Sequence, residues 1–556
     1  MTELISSQGR FSRLLPPLFT HWRGDLIGGL TAAIVALPLA LAFAIASGVD
    51  PKAGLYTAIV AGTLAAIFGG SPVQITGPTG AMAVILIGIV AKYGIEKVWL
   101  AGLMAGLIQV ALGVAKLGRL VKFIPYPVTA GFTNGIAVII FFGQLNNFFG
   151  LQLPRSDHFL PGLWQTVTQI EATQWAAVGL ALVVIVTKLF WGRLSTPIPG
   201  SLVGLVLATA IAAGFHLNVP TIGAIPQALP LPHGIPHWHD FGLIRELINP
   251  ALALAALGSI ESLLSAVVAD GMTVSEKHNS DRELIGQGIA NVVVPFFGGI
   301  PATGAIARTA VNVRAGGKTR LSGVIHGLAL AAIMLTLAPL AAQIPLAALA
   351  GILMVTSLRM IEWEAIGLLL RATYADFAVM MLTWMVTICF DLVLAVEVGL
   401  IAAGVLFIKR MSDLSMGKVP EAEAFPPGVP LELTKQIAVY RVDGPLFFGA
   451  AERFATFLRD EPEVKYLILR LRFVPNMDTT GLVALEDIYH DLERRGCRLI
   501  LSGLQPEVEH LLERSGLLAH IGANNCFDTT DTAIRSLTSH VSPPESTRKQ
   551  LTTLET

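Results

Sequence analysis

The chain of 556 residues is 53% hydrophobic and only 14% charged, with a mean hydropathy of +0.66. That composition excludes an ordinary soluble domain and points to a polytopic membrane protein. A formal net charge of -1 gives no reason to expect a nucleic-acid partner.

Residues 1–24 lack the basic, apolar and cleavage-site pattern of a signal peptide and read as a cytoplasmic N-terminal segment. At ~20 apolar residues per crossing, segments are expected near 25–48, 52–69, 78–92, 98–115, 125–145, 172–191, 198–215, 249–270, 283–298, 303–314, 321–342, 345–358, 376–391 and 393–408. They read as fourteen, some too short to cross alone, in two groups of seven. An odd number per group inverts the second half in the membrane. With the N-terminus inside, the outer loops carry only Lys52, Lys92, Lys97, Arg155 and Arg245. The inner loops carry most of the remaining basic residues, which places both termini in the cytoplasm. The loop 216–240 is rich in Pro and His, but His233, His237 and His239 read as exposed loop residues, and no metal is expected.

Charge content rises abruptly after Lys409-Arg410. The body is therefore expected over 25–410, followed by a linker over 411–435, an α/β domain over 436–540 and a disordered tail over 541–556. In that domain Ile437–Tyr440, Lys465–Leu471 and Arg498–Ser502 read as strands, and Ala451–Arg459 and Gly481–Arg495 as helices. Asp478 and the threonines after it suit a helix N-cap. Phosphorylation of Thr479 or Thr480 would add negative charge at that helix start. Cys389, Cys497 and Cys526 have no metal-ligand spacing and no disulfide pattern.

One phrase occurs twice. Phe68-Gly69-Gly70 precedes Thr79-Gly80-Ala81-Met82-Ala83, and Phe297-Gly298-Gly299 precedes Thr303-Gly304-Ala305-Ile306-Ala307. Each opens the third segment of its group. Glycine and proline breaks inside apolar runs are tolerated where protein or a water-filled cavity surrounds the freed backbone. Paired breaks at matching places in two halves point to a transporter binding site. Helix N-termini carry unpaired N–H groups and about half a positive charge, so two of them meeting near the midplane suit an anion. The backbone of Thr79, Gly80 and Ala81 is assigned to one end and that of Thr303, Gly304 and Ala305 to the other. Both threonine hydroxyls are expected to donate as well. Arg308, one turn further on, is expected to face the substrate, the alternative being a pair with Glu261. Burial disfavours a charged carboxylate, so Glu261 in the eighth segment suits reversible protonation or helps bind sodium.

The fourteen segments, the broken third helices and the Asp478-Thr479-Thr480-Gly481-Leu482 phrase together resemble the sulfate permease (SulP) family. Its C-terminal module is the STAS domain, named after sulfate transporters and anti-sigma-factor antagonists. Stretches Ala36–Ala44, Gly258–Leu264, Ala307–Gly317 and Gly444–Phe448 carry the same resemblance. The Glu261 and Arg308 stretches look like the bacterial branch that includes DauA-type C4-dicarboxylate transporters. The resemblance implies two inverted seven-segment repeats forming a core domain that moves against a gate domain, with Phe43 lining the pocket. It implies no enzyme and no cofactor beyond a coupling proton or sodium ion. It also implies a homodimer in the inner membrane, with the STAS domain open to a cytoplasmic partner. The function expected is proton-coupled uptake of C4-dicarboxylates such as succinate, fumarate or aspartate. Sulfate or bicarbonate uptake with sodium is the alternative, and a membrane sensor signalling through STAS is the reading from another class. No nucleophile–base–orienter set is visible in the sequence.

Overall fold

The computed structural model describes residues 21–119, 124–153, 159–194, 198–232, 241–273, 276–390, 392–412, 415–427, 429–447 and 464–540. The expected N-terminal segment to residue 20, the tail after 540, the loop histidines and the helix over 451–459 lie outside them. Contacts divide the chain into two compact units, Met1–Ala403 and Gly404–Thr556.

Each of the fourteen apolar segments coincides with a helix. They are α1 (Trp22–Ala46), α2 (Pro51–Phe68), α3 (Gly80–Tyr93), α4 (Ile95–Val114), α5 (Tyr126–Gly143), α6 (Trp175–Phe190) and α7 (Gly200–Gly214). The second group is α8 (Phe241–Met272), α9 (Ser280–Val293), α10 (Ile306–Arg314), α11 (Arg320–Ala341), α12 (Leu346–Met360), α13 (Tyr374–Cys389) and α14 (Leu392–Ser412). Among the described residues, eight helical stretches are long and apolar enough to cross a membrane. Helices α3 and α10 are short because the chain before each runs extended, as β1 (Thr76–Gly77) and β2 (Thr303–Gly304).

Packing follows the repeat. Helix α2 lies against α11, and its counterpart α9 lies against α4. Helix α1 packs on α10 and α11, while α8 packs on α3 and α4. The remaining elements match the same way, α5 on α13 and α12 on α6. Exchanging the halves reproduces these contacts, as a pseudo-twofold relation requires. The result is one bundle of α1–α4 with α8–α11 and a second containing α5–α7, α12 and α13.

Two buried carboxylates hold the first bundle together. Asp25 on α1 is fully buried and caps the start of α11, accepting from Lys318 N, Thr319 N and Thr319 Oγ1 at 2.7, 2.9 and 2.6 Å. Negative charge is favoured at a helix N-terminus. Glu283 on α9 is 2% exposed and accepts five hydrogen bonds. Its Oε2 takes Gly70 N and Ser71 N; its Oε1 takes Gln74 Nε2, Ser262 Oγ and Gln287 Nε2. Glu283, Gln287 and Asn291 sit four residues apart, hence on one face of α9. Where α8 meets α9, His278 Nδ1 lies 2.7 Å from Asp270 Oδ2 and its Nε2 lies 3.0 Å from Ser280 Oγ.

The C-terminal unit holds a five-stranded sheet in sequential order, β3 (Ser415–Lys418), β4 (Ile437–Asp443), β5 (Tyr466–Phe473), β6 (Arg498–Ser502) and β7 (Cys526–Phe527). Strand β3 is antiparallel to β4, with Ser415 opposite Asp443, and the other pairs are parallel. Part of the expected linker 411–435 is therefore an edge strand; four residues with a glycine give too little alternation to be read as one. Helix α15 (Thr479–Arg494) is capped by Asp478, whose side chain accepts from Gly481 N at 2.8 Å. Thr479 and Thr480 are its exposed first residues. Burial pushes the Cys497 thiol up to about 11, which leaves it unreactive at neutral pH.

Replacing Glu283 with Ala would leave several buried donors without an acceptor, at ~1–3 kcal/mol for each. Glu283→Ala is expected to lower the thermal midpoint of the detergent-purified protein by several degrees, read by fluorimetry. Glu283→Gln should fall between the variant and the parent.

Candidate substrate site

The two broken helices meet directly. Strands β1 and β2 pair antiparallel, with Thr76 opposite Gly304 and Gly77 opposite Thr303, and all four residues are buried. Ala305 N extends the pairing by donating to Ile75 O at 2.9 Å. The bonds that the two interrupted helices lose are thus recovered between them, as an apolar interior demands. Helix α3 starts at Gly80 and α10 at Ile306, so both N-termini arise beside this short ladder.

The ladder alters the expected donors. Thr303 and Gly304 belong to a strand pair and the Ala305 amide is engaged, so the open turn of α10 begins at Ile306 and Ala307, both exposed. Neither threonine hydroxyl is a free donor. Thr303 Oγ1 donates to Gly258 O at 2.7 Å, and Thr79 Oγ1 donates to Glu261 Oε2 at 2.8 Å. A hydroxyl this deep takes the nearest acceptor, and α8 supplies one to each. Thr79 also caps α3, accepting from Met82 N at 3.4 Å.

Arg308 is 1% exposed. Its Nη2 donates to Pro78 O at 2.7 Å, and its Nη1 has no hydrogen-bond partner among the described residues. Glu261 and Arg308 are thus held by neighbouring residues, Thr79 and Pro78, rather than by a bond to each other. A Cβ at Gly77 would stand 2.6 Å from Arg308 Nη1, so the missing side chain is what lets the guanidinium reach the ladder. At Gly304 a Cβ would collide with the Gln74 side chain.

Gly80 and Ala81 are buried. A Cβ on Gly80 would collide with Ile140 Cδ1 and lie 3.2 Å from Phe43 Cε1. Phe43 therefore sits at the start of α3, and Ile140 of α5 covers it from the second bundle. Beyond this cover lies a cavity of about 1280 Å³ between the bundles, lined among others by Ala46, Val84, Ile139, Phe142, Glu246 and Glu397. Val84 is one turn past Gly80, and Thr79, Glu261, Thr303 and Arg308 do not line the cavity. Among the described residues, the ladder brings two helix ends and a guanidinium together, and the cavity lies apart from it.

Sequence reasoning missed Glu283, Gln74, Ser262 and Gln287, which lock the segment before β1. The polar stripe at 283, 287 and 291 was the signal available. It also missed the Asp270–His278–Ser280 contact, assembled by the turn between two helices. His278 N donates to Asp270 Oδ1 as well, so the trio ties α8 to α9.

Paired broken helices whose N-termini flank a buried cation, within one of two bundles, point to a membrane transport protein for anions. The sequence pattern of the sulfate permease family matches residues 22–383, and that of the STAS domain matches 429–533. YvdB of Bacillus subtilis, described as a sulfate transporter, is 41% identical over 91% of this chain and 96% of its own length. The bicarbonate transporter BicA of Picosynechococcus is 33% identical over 93% and 95%. The structure of SLC26A9 shares the fold, with a TM-score of 0.82 at 17% identity over 95% of this chain and 91% of that one. The chain belongs to the sulfate permease family, as a multi-pass anion transporter with a C-terminal STAS domain. It is not an enzyme.

Gly77→Ala would force Arg308 Nη1 away from the ladder. Losing one charge-assisted bond, worth ~1.5–3 kcal/mol, should weaken anion affinity about tenfold or more. The check is the concentration for half-maximal uptake, with the thermal midpoint of the variant unchanged.

Proposed function

We propose that this protein is a secondary active carrier of small oxyanions of the sulfate and bicarbonate class. The single observation behind this reading is the unpartnered Nη1 of buried Arg308, set beside two opposed helix N-termini. The names of the relatives add weight to inorganic oxyanions. C4-dicarboxylates are the second reading, favoured by the Gly258–Leu264 and Ala307–Gly317 stretches alone. Substrate rests on Arg308 and the amides at the starts of α3 and α10, with Phe43 over the first. Arg308 supplies the one full charge, and the helix ends replace the remaining hydration.

The mechanism follows from the two bundles. The bundle holding the ladder moves as a body against the one holding α5 and α12, and Ile140 leaves Gly80 as access changes sides. Glu261 carries the coupling proton and releases Thr79 when protonated, a sodium ion being the alternative. The chain works as a homodimer in the inner membrane with both termini in the cytoplasm. Phosphorylation of exposed Thr479 or Thr480, or a bound cytoplasmic protein, regulates it through the STAS domain.

Purified protein in liposomes is expected to take up labelled sulfate or bicarbonate faster than succinate, at two pH values with and without sodium. Faster succinate uptake would favour the second reading; no uptake of any of the three would remove the function. Arg308→Gln should reduce uptake at least about tenfold, on the same bond energy. Glu261→Gln should flatten the dependence of uptake on outside pH, and an unchanged profile would take the proton away from Glu261.

A further inference from the structure

A side-chain hydrogen bond links helices α10 and α11. Arg308 and Asn312 are four residues apart on α10, as Ser322 and His326 are on α11, so each pair shares a face. In that bond Asn312 Nδ2 donates to Ser322 Oγ at 2.8 Å. Among the described residues, both ring nitrogens of His326 and Nη1 of Arg308 lack partners, although the residues are 0% and 1% exposed. From α2, a Cβ on Gly62 would stand 3.0 Å from Thr76 O and 3.6 Å from His326 Nδ1, so the imidazole lies beside β1. A buried imidazole with two unmet nitrogens is costly, and burial without partners is rare in stable interiors.

The charges around His326 come from few places. On α1, Asp25 is committed to Thr319, roughly 10 Å along α11 from His326. On α2, Lys52 pairs with Asp50 at the far end, roughly 15 Å from Gly62, and Tyr56 is roughly 9 Å away. On α10, Arg314 is six residues beyond Arg308, and on α11 itself Arg320 is six residues before His326, each about 9 Å along its helix. Glu261 belongs to α8 and faces Thr79. On α9, Glu283 is committed to five donors and reaches β1 only through Gln287, which donates to Thr76 Oγ1, whereas Arg308 Nη1 reaches β1 itself at Gly77.

We propose that His326 is a proton-binding site filled only when an anion occupies Arg308. This rests on the carrier reading above and adds a second protonatable group to it. In the empty carrier, imidazolium beside guanidinium would put two like charges in a dry interior, so His326 stays neutral. An anion on Arg308 offsets the guanidinium and makes room for a proton taken from water. Anion and proton then assist each other's binding to the same degree, as linkage requires. The ledger of the moving bundle closes. Empty, the Glu261 carboxylate and Arg308 cancel; a monoanion is balanced by one proton on His326, and a dianion by a second on Glu261. Loading therefore leaves the charge of the bundle as it was, so a transport cycle moves no net charge across the bilayer.

The test uses the full-length protein in liposomes, with potassium and valinomycin setting the voltage and labelled sulfate or bicarbonate as probe. Wild-type accumulation is expected not to respond to voltage. In His326→Gln one positive charge per cycle is lost, so accumulation should change about tenfold for every 60 mV, from ~2.3 kcal/mol per charge per 100 mV. The same voltage response in both proteins would overturn the proposal. Should His326→Gln not fold, calorimetry of sulfate binding to detergent-purified Glu261→Gln in buffers of different ionisation heat replaces it. Proton uptake on binding is expected to persist there, and its absence would overturn the proposal. Wild-type protein that carries and binds none of these anions removes the carrier reading and this inference with it. Uptake with unaltered voltage behaviour removes this inference alone.

Discussion

The fold depends on the pairing of two residues with two others. An apolar surrounding allows a helix to break only if its freed backbone finds partners, and here each broken helix is the other's partner. Because β1 and β2 come from opposite halves, the pairing also fixes how the halves meet. Helices α3 and α10 inherit their positions from it, and with them the place where an anion can sit.

Around that pairing the interior is polar by necessity. Glu283 gathers donors from three segments, holding Gly70 and Ser71 with one oxygen and Gln74, Ser262 and Gln287 with the other. Ser262 follows Glu261 in sequence, so the carboxylate that orders the backbone before β1 also touches the helix that presents Glu261. The candidate site and its support are one hydrogen-bonded body, as the proposed movement of that bundle requires. Networks of this kind are stable only when nearly complete. Arg308 Nη1 and the His326 nitrogens are among the buried atoms left unmatched, as are Gln74 Oε1, Gln287 Oε1 and Asn312 Oδ1.

Much of this was legible beforehand. Twenty-residue apolar runs announce helices whatever their packing, and every expected segment in the body coincides with one. The doubled Gly–Gly and Thr–Gly–Ala phrase located the breaks, since few other residues survive there. Donor assignment went wrong at Thr303, whose hydroxyl turns to Gly258 O, because which acceptor lies nearest depends on a helix 45 residues away in sequence. The start of α10 shifted to Ile306 for the same reason: the sequence shows a break, but not that the break pairs with another. Glu283 was overlooked because its role comes from convergence of distant segments, although its i, i+4 spacing from Gln287 was in view. In the STAS domain the long strands read as continuous apolar runs, while β3 takes its conformation from β4.

The contact between Ile140 and Gly80 has a pharmacological side. Ile140, an aliphatic side chain of the opposite bundle, covers Gly80 at the start of α3, and its neighbour Ile139 lines the 1280 Å³ cavity. A small molecule lodged in that cavity against Ile139 and Phe142 would not need to resemble the cargo. It would act as a wedge, arresting the exchange of sides while the anion stays bound, and raising the anion concentration would not displace it.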